Sequence, residues 1–147
     1  MYTGMHTSFD TMKEFLILGA ELDGKYQIPV IPACHFDYFP EDSIDFGESF
    51  NRKIKNHRNL NVNYYIDDCK FTRLWNSPEK YLEHLKYFHS VCSPDFSIAT
   101  GESGMPFALN IYNKYRNHAL AWYLLMKGIK VIPSVSIADK ESYDWCF

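Results

Sequence analysis

The sequence predicts a single α/β domain built on a short parallel sheet with crossover helices. From Val62 onward, apolar segments follow one another in the order strand, helix, strand, helix, strand, helix, which gives a three-strand βαβαβ core. Connections of this length favour parallel pairing with right-handed crossovers. The chain has 147 residues, 17% of them aromatic, so one domain can bury a sizeable core.

Two segments precede this core. Apolar residues recur at helical spacing over residues 8–22, and we expect an extra N-terminal helix there. Pro29 and Pro32 favour an extended or edge segment over a central strand in the stretch that follows. We therefore treat the whole chain as one domain, with a helical extension over residues 1–27 and an α/β part over residues 28–147.

Each element of the core has a sequence signal of its own. A helix follows Ser77 and Pro78, because a capping hydroxyl and a proline in the first turn are typical of helix starts. A long helix starts near Pro106 and ends before Gly128, and Asp139 caps a last turn. The three predicted strands cover residues 62–66, 90–93 and 129–135.

The composition excludes several function classes. The net charge of −3 and the sequence pI of about 6.0 differ from the basic balance of proteins that coat nucleic acid, which is only weakly indicated as a partner. No apolar run approaches the ~18 residues of a membrane span and no secretory leader is expected, so we predict no membrane partner and a cytoplasmic location. The four cysteines form no C-x-x-C pair, which disfavours a zinc ribbon.

Four aspartates follow the predicted strands. Asp67 and Asp68 come directly after the first strand, Asp95 after the second, and Asp139 a few residues beyond the third. The carboxyl ends of parallel strands form one rim, where binding sites are commonly built. Carboxylate oxygens gathered there can hold Mg²⁺ or Mn²⁺, and these ions are the only cofactor candidates. The alternative role of each aspartate is to cap a helix.

A metal ion at this rim would assist phosphoryl hydrolysis. Glu102, in the loop before the long helix, would then act as a base, and Arg116 would stabilise developing charge. Asp67, Asp68 and Asp95 complete this candidate catalytic set, none of which is assigned outright. The resulting function is a metal-dependent phosphoesterase or nuclease-like enzyme.

Several motifs occur in order along the chain. They are Tyr65-Ile-Asp-Asp68, Ser93-Pro-Asp-Phe-Ser97, Ile111-Tyr-Asn113-x-Tyr115-Arg116-Asn117 and Gly128-Ile-Lys-Val-Ile-Pro-Ser-Val-Ser136. As a set they resemble a family of domains of unknown function that is common in phages, prophages and other bacterial mobile elements. The resemblance covers residues 28–147. It implies a phage or mobile-element protein inside a bacterial host, and it implies no chemical activity.

The resemblance also indicates an open sheet edge. Members of such a family usually continue with a further strand and helix, so this chain resembles a member shortened at its C-terminus. The third predicted strand would then have unpaired backbone groups, and an edge of this kind favours pairing with another chain. We expect the partner to be a host protein or a second copy. Candidate partner-binding residues are the basic cluster and the edge, namely Arg52, Lys53, Lys55, Arg58, Val131 and Val135.

Three functions follow, and we favour the first. It is protein binding, in the form of an inhibitor of a host defence nuclease of the anti-CRISPR type, with a nucleoprotein defence complex as the target. The second is the metal-dependent enzyme described above. The third is a self-associating remnant of a larger α/β domain.

Overall fold

The structure is a computed structural model and describes residues 12–102 and 104–146. The described chain enters through a 3-10 turn (Glu14–Ile17) and a two-stranded antiparallel hairpin. The strands of this hairpin are β1 (Leu22–Asp23) and β2 (Ile28–Pro29).

The sheet at the centre has four parallel strands, which lie side by side in chain order. Such an order, with right-handed crossovers, places the connecting segments on one face of the sheet. The predicted parallel α/β fold is confirmed, with one strand more than the three expected. The strands are β3 (Asp42–Asp45), β4 (Leu60–Asn63), β5 (Ser90–Cys92) and β6 (Val131–Ile132).

The helices lie mainly in the crossovers. The connection from β4 to β5 holds α1 (Asp68–Asn76), a 3-10 turn (Pro78–Tyr81) and α2 (Leu82–Leu85), and the connection from β5 to β6 holds α3 (Phe107–Met126). Two 3-10 turns, Glu48–Phe50 and His57–Asn59, join β3 to β4, and a third, Lys140–Ser142, leads into α4 (Tyr143–Cys146). In the described part of the chain, no helix combines the length and the apolar character needed to cross a membrane.

One face of the sheet is apolar because aliphatic side chains lie in register across it. Ile44, Val62, Val91 and Val131 occupy neighbouring positions on the four strands, and the three valines are fully buried. The helices pack on this face and complete one continuous core. Burying this aliphatic row removes apolar surface from water and so stabilises the sheet against the helices.

The opposite face of the sheet is polar and hydrogen-bonded. Ser43, Asn61 and Ser90 lie in register on three adjacent strands. The Asn61 amide donates to Ser90 Oγ at 2.9 Å, and the Asn61 carbonyl oxygen accepts from Ser43 Oγ at 3.2 Å. Asn61 and Ser90 are buried, so these bonds satisfy groups that would otherwise be costly to remove from water.

The additional strand of the sheet is β3, which lies where no strand was predicted. Its residues are mostly polar and at least partly exposed, so no alternation of apolar residues marks them. The strand forms because it pairs along its whole length with β4, and the pairing continues from Phe46 N–H to Asn63 O at 2.9 Å. Pairing with β4 therefore determines that these residues form a strand.

Three predicted elements are shorter than expected. The helix predicted after Ser77 and Pro78 is a 3-10 turn followed by the four-residue α2. Residues 8–11 of the predicted N-terminal helix lie outside the described residues, and in the rest of that segment the helical turn covers only Glu14–Ile17. Lys13 (φ 53°) and Gly19 (φ 76°) adopt left-handed backbone on either side of this turn, which interrupts a regular helix. The third predicted strand shortens to Val131–Ile132, because Pro133 follows and lacks a backbone donor.

Candidate functional site

A cleft of about 510 Å³ opens at the carboxyl ends of β4, β5 and β6. Asp67, Asp95, Ser97 and Ser136 supply its polar groups. The sheet places them there because the parallel strands all end on this side, and the chain leaves each strand as a polar loop. This cleft is the rim that the sequence predicted as a site.

Asp68 and Asp95 each bind a serine from another part of the rim. The Asp68 carboxylate accepts from the backbone N–H of Ser97 at 3.1 Å and from Ser97 Oγ at 2.9 Å. Asp95 accepts a hydrogen bond from the hydroxyl of Ser136. The two carboxylates therefore link the first turn of α1 and the end of β6 to the loop that follows β5.

The other two candidate aspartates have local partners. Asp67 lies at the surface and forms an ion pair with Lys70 at 3.3 Å. Asp139 accepts from the backbone N–H of Ser142 at 3.0 Å in a capping box, as the sequence predicted for the last turn. The hydroxyl of Thr100 and the backbone N–H groups of Ser142 and Glu141 hold the pKa of Asp139 below its ordinary value.

The predicted metal site remains a prediction. Asp67 and Asp95 border the same cleft, whereas Asp68 faces Ser97 and Asp139 caps the turn before α4. Across residues 12–102 and 104–146, no three histidine, cysteine, aspartate or glutamate side chains gather as metal ligands.

The guanidinium of Arg116 packs against three aromatic rings. Its guanidinium carbon is 3.7 Å from the ring centre of Phe96, 4.8 Å from that of Tyr112 and 5.8 Å from that of Trp75. Burial lowers the pKa of Arg116, and one terminal nitrogen donates to the Asn113 side chain. These contacts make Arg116 a packing residue of the loop. Glu102, the other candidate, is exposed in the loop before α3.

Three buried asparagines on α3 hold the loop that shapes the cleft. Asn117 accepts from the Phe96 N–H at 2.7 Å and donates to the Phe96 carbonyl at 3.2 Å. Asn110 makes the same pair of bonds to Ala99, and Asn113 donates to the Ser97 carbonyl at 2.6 Å. The side chains thus replace the partner strand that this loop lacks. Their spacing along one helix face was the signal that sequence reasoning did not use.

A second exposed surface lies at the amino ends of the strands. We call it the amino-end surface and define it as Tyr38, Phe39, Arg58, Lys86 and Tyr87. Phe39 is 86% exposed, Tyr87 64% and Tyr38 51%. The Tyr38 hydroxyl donates to the Arg58 carbonyl at 2.9 Å, and Arg58 donates to the Lys86 carbonyl at 3.1 Å. These bonds hold the surface residues on a common frame.

His89 fixes this frame to the sheet. Its Nε2–H donates to the Tyr38 carbonyl at 2.9 Å, and its Nδ1 pairs with Ser90 Oγ at 2.9 Å. The imidazole also packs against the rings of Phe36 and Tyr38. The segment that carries Phe39 is therefore docked on the start of β5.

The predicted partner-binding residues lie in different environments. Arg58 belongs to the amino-end surface, while Arg52, Lys53 and Lys55 are exposed in the connection that leads to it. Val135 is 65% exposed after β6, but Val131 is fully buried, so only its backbone faces the sheet edge. Among the described strands, β6 pairs with β5 alone and leaves its other edge unpaired.

The chain is similar to two curated phage proteins. It is 35% identical over 86 residues to the Gene 1 protein of Mycobacterium phage L5, and this match covers 58% of the chain and 36% of the relative. It is 31% identical over 86 residues to the Gene 1 protein of Mycobacterium phage D29, covering 58% of the chain and 31% of the relative. The matched region thus spans about a third of each curated relative. No solved structure matches the chain.

The family comparison covers most of the sequence. Residues 20–147 match the family described as domain of unknown function DUF4417. The match includes the hairpin, the four-stranded sheet and all the helices described above. It begins eight residues before the region from which the resemblance was drawn. The phage context expected from the motifs is confirmed, and the chain belongs to the DUF4417 family.

Proposed function

We propose that this phage-related domain acts by binding a protein through the amino-end surface. The observation that carries the proposal is the 86% exposure of Phe39 on a surface with two other exposed aromatic side chains, Tyr38 and Tyr87. Isolated apolar residues on a surface are ordinary, but three exposed aromatic residues at the same end of the sheet are a specific feature. The bonds from Tyr38 to Arg58 and from Arg58 to Lys86 already order part of this surface, which lowers the entropic cost of binding there.

The chemistry of this surface favours an acidic protein partner. Tyrosine, phenylalanine and arginine are enriched at the centres of protein interfaces, and arginine pairs well with carboxylates. Arg58 supplies positive charge on the surface, whereas Lys86 is paired with Glu83 at 2.9 Å. The exposed cluster of Arg52, Lys53 and Lys55 adds positive charge in the adjoining connection. The partner we infer is a bacterial host protein with an acidic patch.

The phage relatives suggest the class of target. A phage protein that binds a host protein gains most where the host protein destroys phage nucleic acid. We therefore propose inhibition of a host defence nuclease, with a CRISPR nucleoprotein complex as the first candidate. Under this proposal the exposed aromatic residues block the nuclease directly, and no chemistry by the domain is needed.

The binding test uses variants of the full chain. The tagged protein captures its partner from nuclease-treated bacterial lysate, and calorimetry with the purified partner then measures affinity. We expect Phe39→Ala and Tyr87→Ala to weaken binding by about 10-fold or more, which is typical of central aromatic residues at an interface. Leu109→Ala is the matched control, since Leu109 is 49% exposed in the first turn of α3, at the opposite end of the sheet.

Equal affinity in all three variants would contradict binding through this surface. The defence test is separate. The test phage is one that the CRISPR system of the bacteria targets. Its plating efficiency should rise on bacteria that express the wild-type chain, and Phe39→Ala should remove the gain. If partner capture depends on Phe39 but plating does not change, binding stands and inhibition of this nuclease is wrong.

A metal-dependent enzyme is the second candidate function, because Asp67 and Asp95 border one cleft. Calorimetric titration with Mg²⁺ and Mn²⁺ tests it directly. The enzyme hypothesis requires binding that is lost in Asp67→Ala and in Asp95→Ala, and an absence of heat at millimolar metal would count against it.

A further inference from the structure

A separate cavity of about 300 Å³ lies between the β1–β2 hairpin, α3, the segment after β6 and α4. Its walls are mainly apolar and include Ile28, Pro133 and Trp145. A volume of this size is at the lower end of the range for small-molecule sites. This cavity is distinct from the cleft at the carboxyl ends of the strands and from the amino-end surface.

Lys114 of α3 lines this cavity and is only 3% exposed. Within the described residues, no hydrogen bond or ion pair is found for its ammonium group. The position of the charge follows from its neighbours, because it acts electrostatically on His118 and on Cys146, which also line the cavity. Burial lowers the pKa of Lys114. The Asp95 carboxylate acts on the pKa in the opposite sense, but no described residue forms a direct ion pair with the ammonium. An ammonium in a mainly apolar cavity is stabilised by an anion that binds it directly.

His118, one helical turn further on, supplies a second polar group. Its Nδ1–H donates to the Pro29 carbonyl at 2.7 Å, which fixes the proton on that nitrogen. Burial and the nearby Lys114 lower the pKa of His118 to about 4, so the ring is neutral near pH 7. A neutral imidazole with its proton on Nδ1 has an acceptor at Nε2.

We propose that this cavity binds a small organic carboxylate, with the carboxylate on Lys114 and an apolar body against Trp145 and Ile28. The ligand anion supplies the direct ion pair that no described residue gives Lys114. Asp23 and Asp144 also line the cavity and are both exposed, so they stand at its mouth. Their negative charge disfavours a second anionic group at the outer end of the ligand. The site therefore fits a monocarboxylate better than a dicarboxylate or a phosphate.

The test uses benzoate as the probe and benzamide as its neutral counterpart of the same shape. Titrations of the full chain are followed by the indole N–H signals of the three tryptophans, assigned by single Trp→Phe variants. We expect benzoate to shift the Trp145 signal in a saturable manner and to leave the Trp122 signal unchanged. Benzamide should bind about 10-fold more weakly or not at all, since it lacks the charge.

Lys114→Met keeps the length of the side chain and removes the charge. We expect it to weaken benzoate binding by about 10-fold or more and to raise the melting temperature, because an unpaired buried cation is replaced by an apolar side chain. Equal binding of benzoate and benzamide to the wild-type protein would overturn the proposal. So would unchanged benzoate affinity in Lys114→Met, or no Trp145 shift at millimolar benzoate. The wild-type comparison of the two probes holds even if a variant fails to fold.

Discussion

At the scale of single residues, three asparagine side chains form hydrogen bonds that a neighbouring strand forms in a regular sheet. Asn110, Asn113 and Asn117 are nearly inaccessible to solvent, and each is bonded to backbone groups of the loop after β5. A loop held in this way keeps its polar backbone satisfied away from water. The motif in α3 that resembled a phage family is thus explained in part as a structural clamp.

We predict that Asn117→Ala lowers the free energy of unfolding by about 2–4 kcal/mol, because it leaves the Phe96 N–H and carbonyl buried without partners. Urea unfolding followed by circular dichroism measures the loss. Asn76→Ala is the control, since Asn76 is exposed at the end of α1 and should change stability by less than about 0.5 kcal/mol. Similar losses in both variants would contradict the role of a buried clamp.

At the scale of elements, the ends of helices and strands depend on specific caps and partners. The turn before α4 begins at Asp139, whose side chain and backbone both bond with Ser142. This turn leads to Trp145, which is buried and packs edge-on against Phe107. The cap therefore contributes to placing α4 against the start of α3.

We expect Asp139→Ala to lower the melting temperature, and Asp139→Asn to restore most of that loss because asparagine also caps. Thermal unfolding of the three proteins at pH 7 compares them. Full loss in the asparagine variant would show that the charge of Asp139, rather than its capping bond, stabilises the turn.

At the scale of the whole molecule, the N-terminal hairpin is attached to the sheet domain through α3. The bond from His118 to the Pro29 carbonyl joins segments that lie far apart in sequence. Because the folded protein holds His118 neutral, with a pKa of about 4 against about 6.5 when unfolded, protonation favours the unfolded state between these two values. The stability that depends on the neutral ring is present above pH 6.5 and is lost as the pH falls towards 4.

The matching prediction concerns acid stability. Lowering the pH from 7 to 4 should cost the wild-type protein roughly 2–3 kcal/mol through His118, in addition to any contribution from carboxylates. His118→Asn keeps a donor for the Pro29 carbonyl and cannot take up a proton. Its free energy of unfolding, measured with urea across this range, should therefore fall less steeply. Parallel curves for the two proteins would contradict the prediction.

How much could be predicted depends on how local each signal is. The 3-10 turn that begins at Pro78 and the start of α3 near Pro106 were predictable because a proline acts within one turn, whereas the predicted cap from the Ser77 hydroxyl does not form. The alternation of β4, β5 and β6 with helices was also predictable, since apolar spacing sets it. Strand β3 could not be predicted, because its polar residues become a strand only when β4 lies beside them.

The candidate site was likewise predictable only in those features that depend on local sequence. Amino-acid order alone determined that Asp67, Asp68 and Asp95 would follow parallel strands, because chain connectivity sets where strands end. Only the tertiary structure decided that Asp68 binds Ser97 and that Asp95 binds Ser136. It also decided that Lys114 is enclosed with no direct ion pair from the described residues, as burial depends on residues brought together from across the chain. Local order sets the elements, while distant contacts set the charge and hydrogen bonding of each side chain.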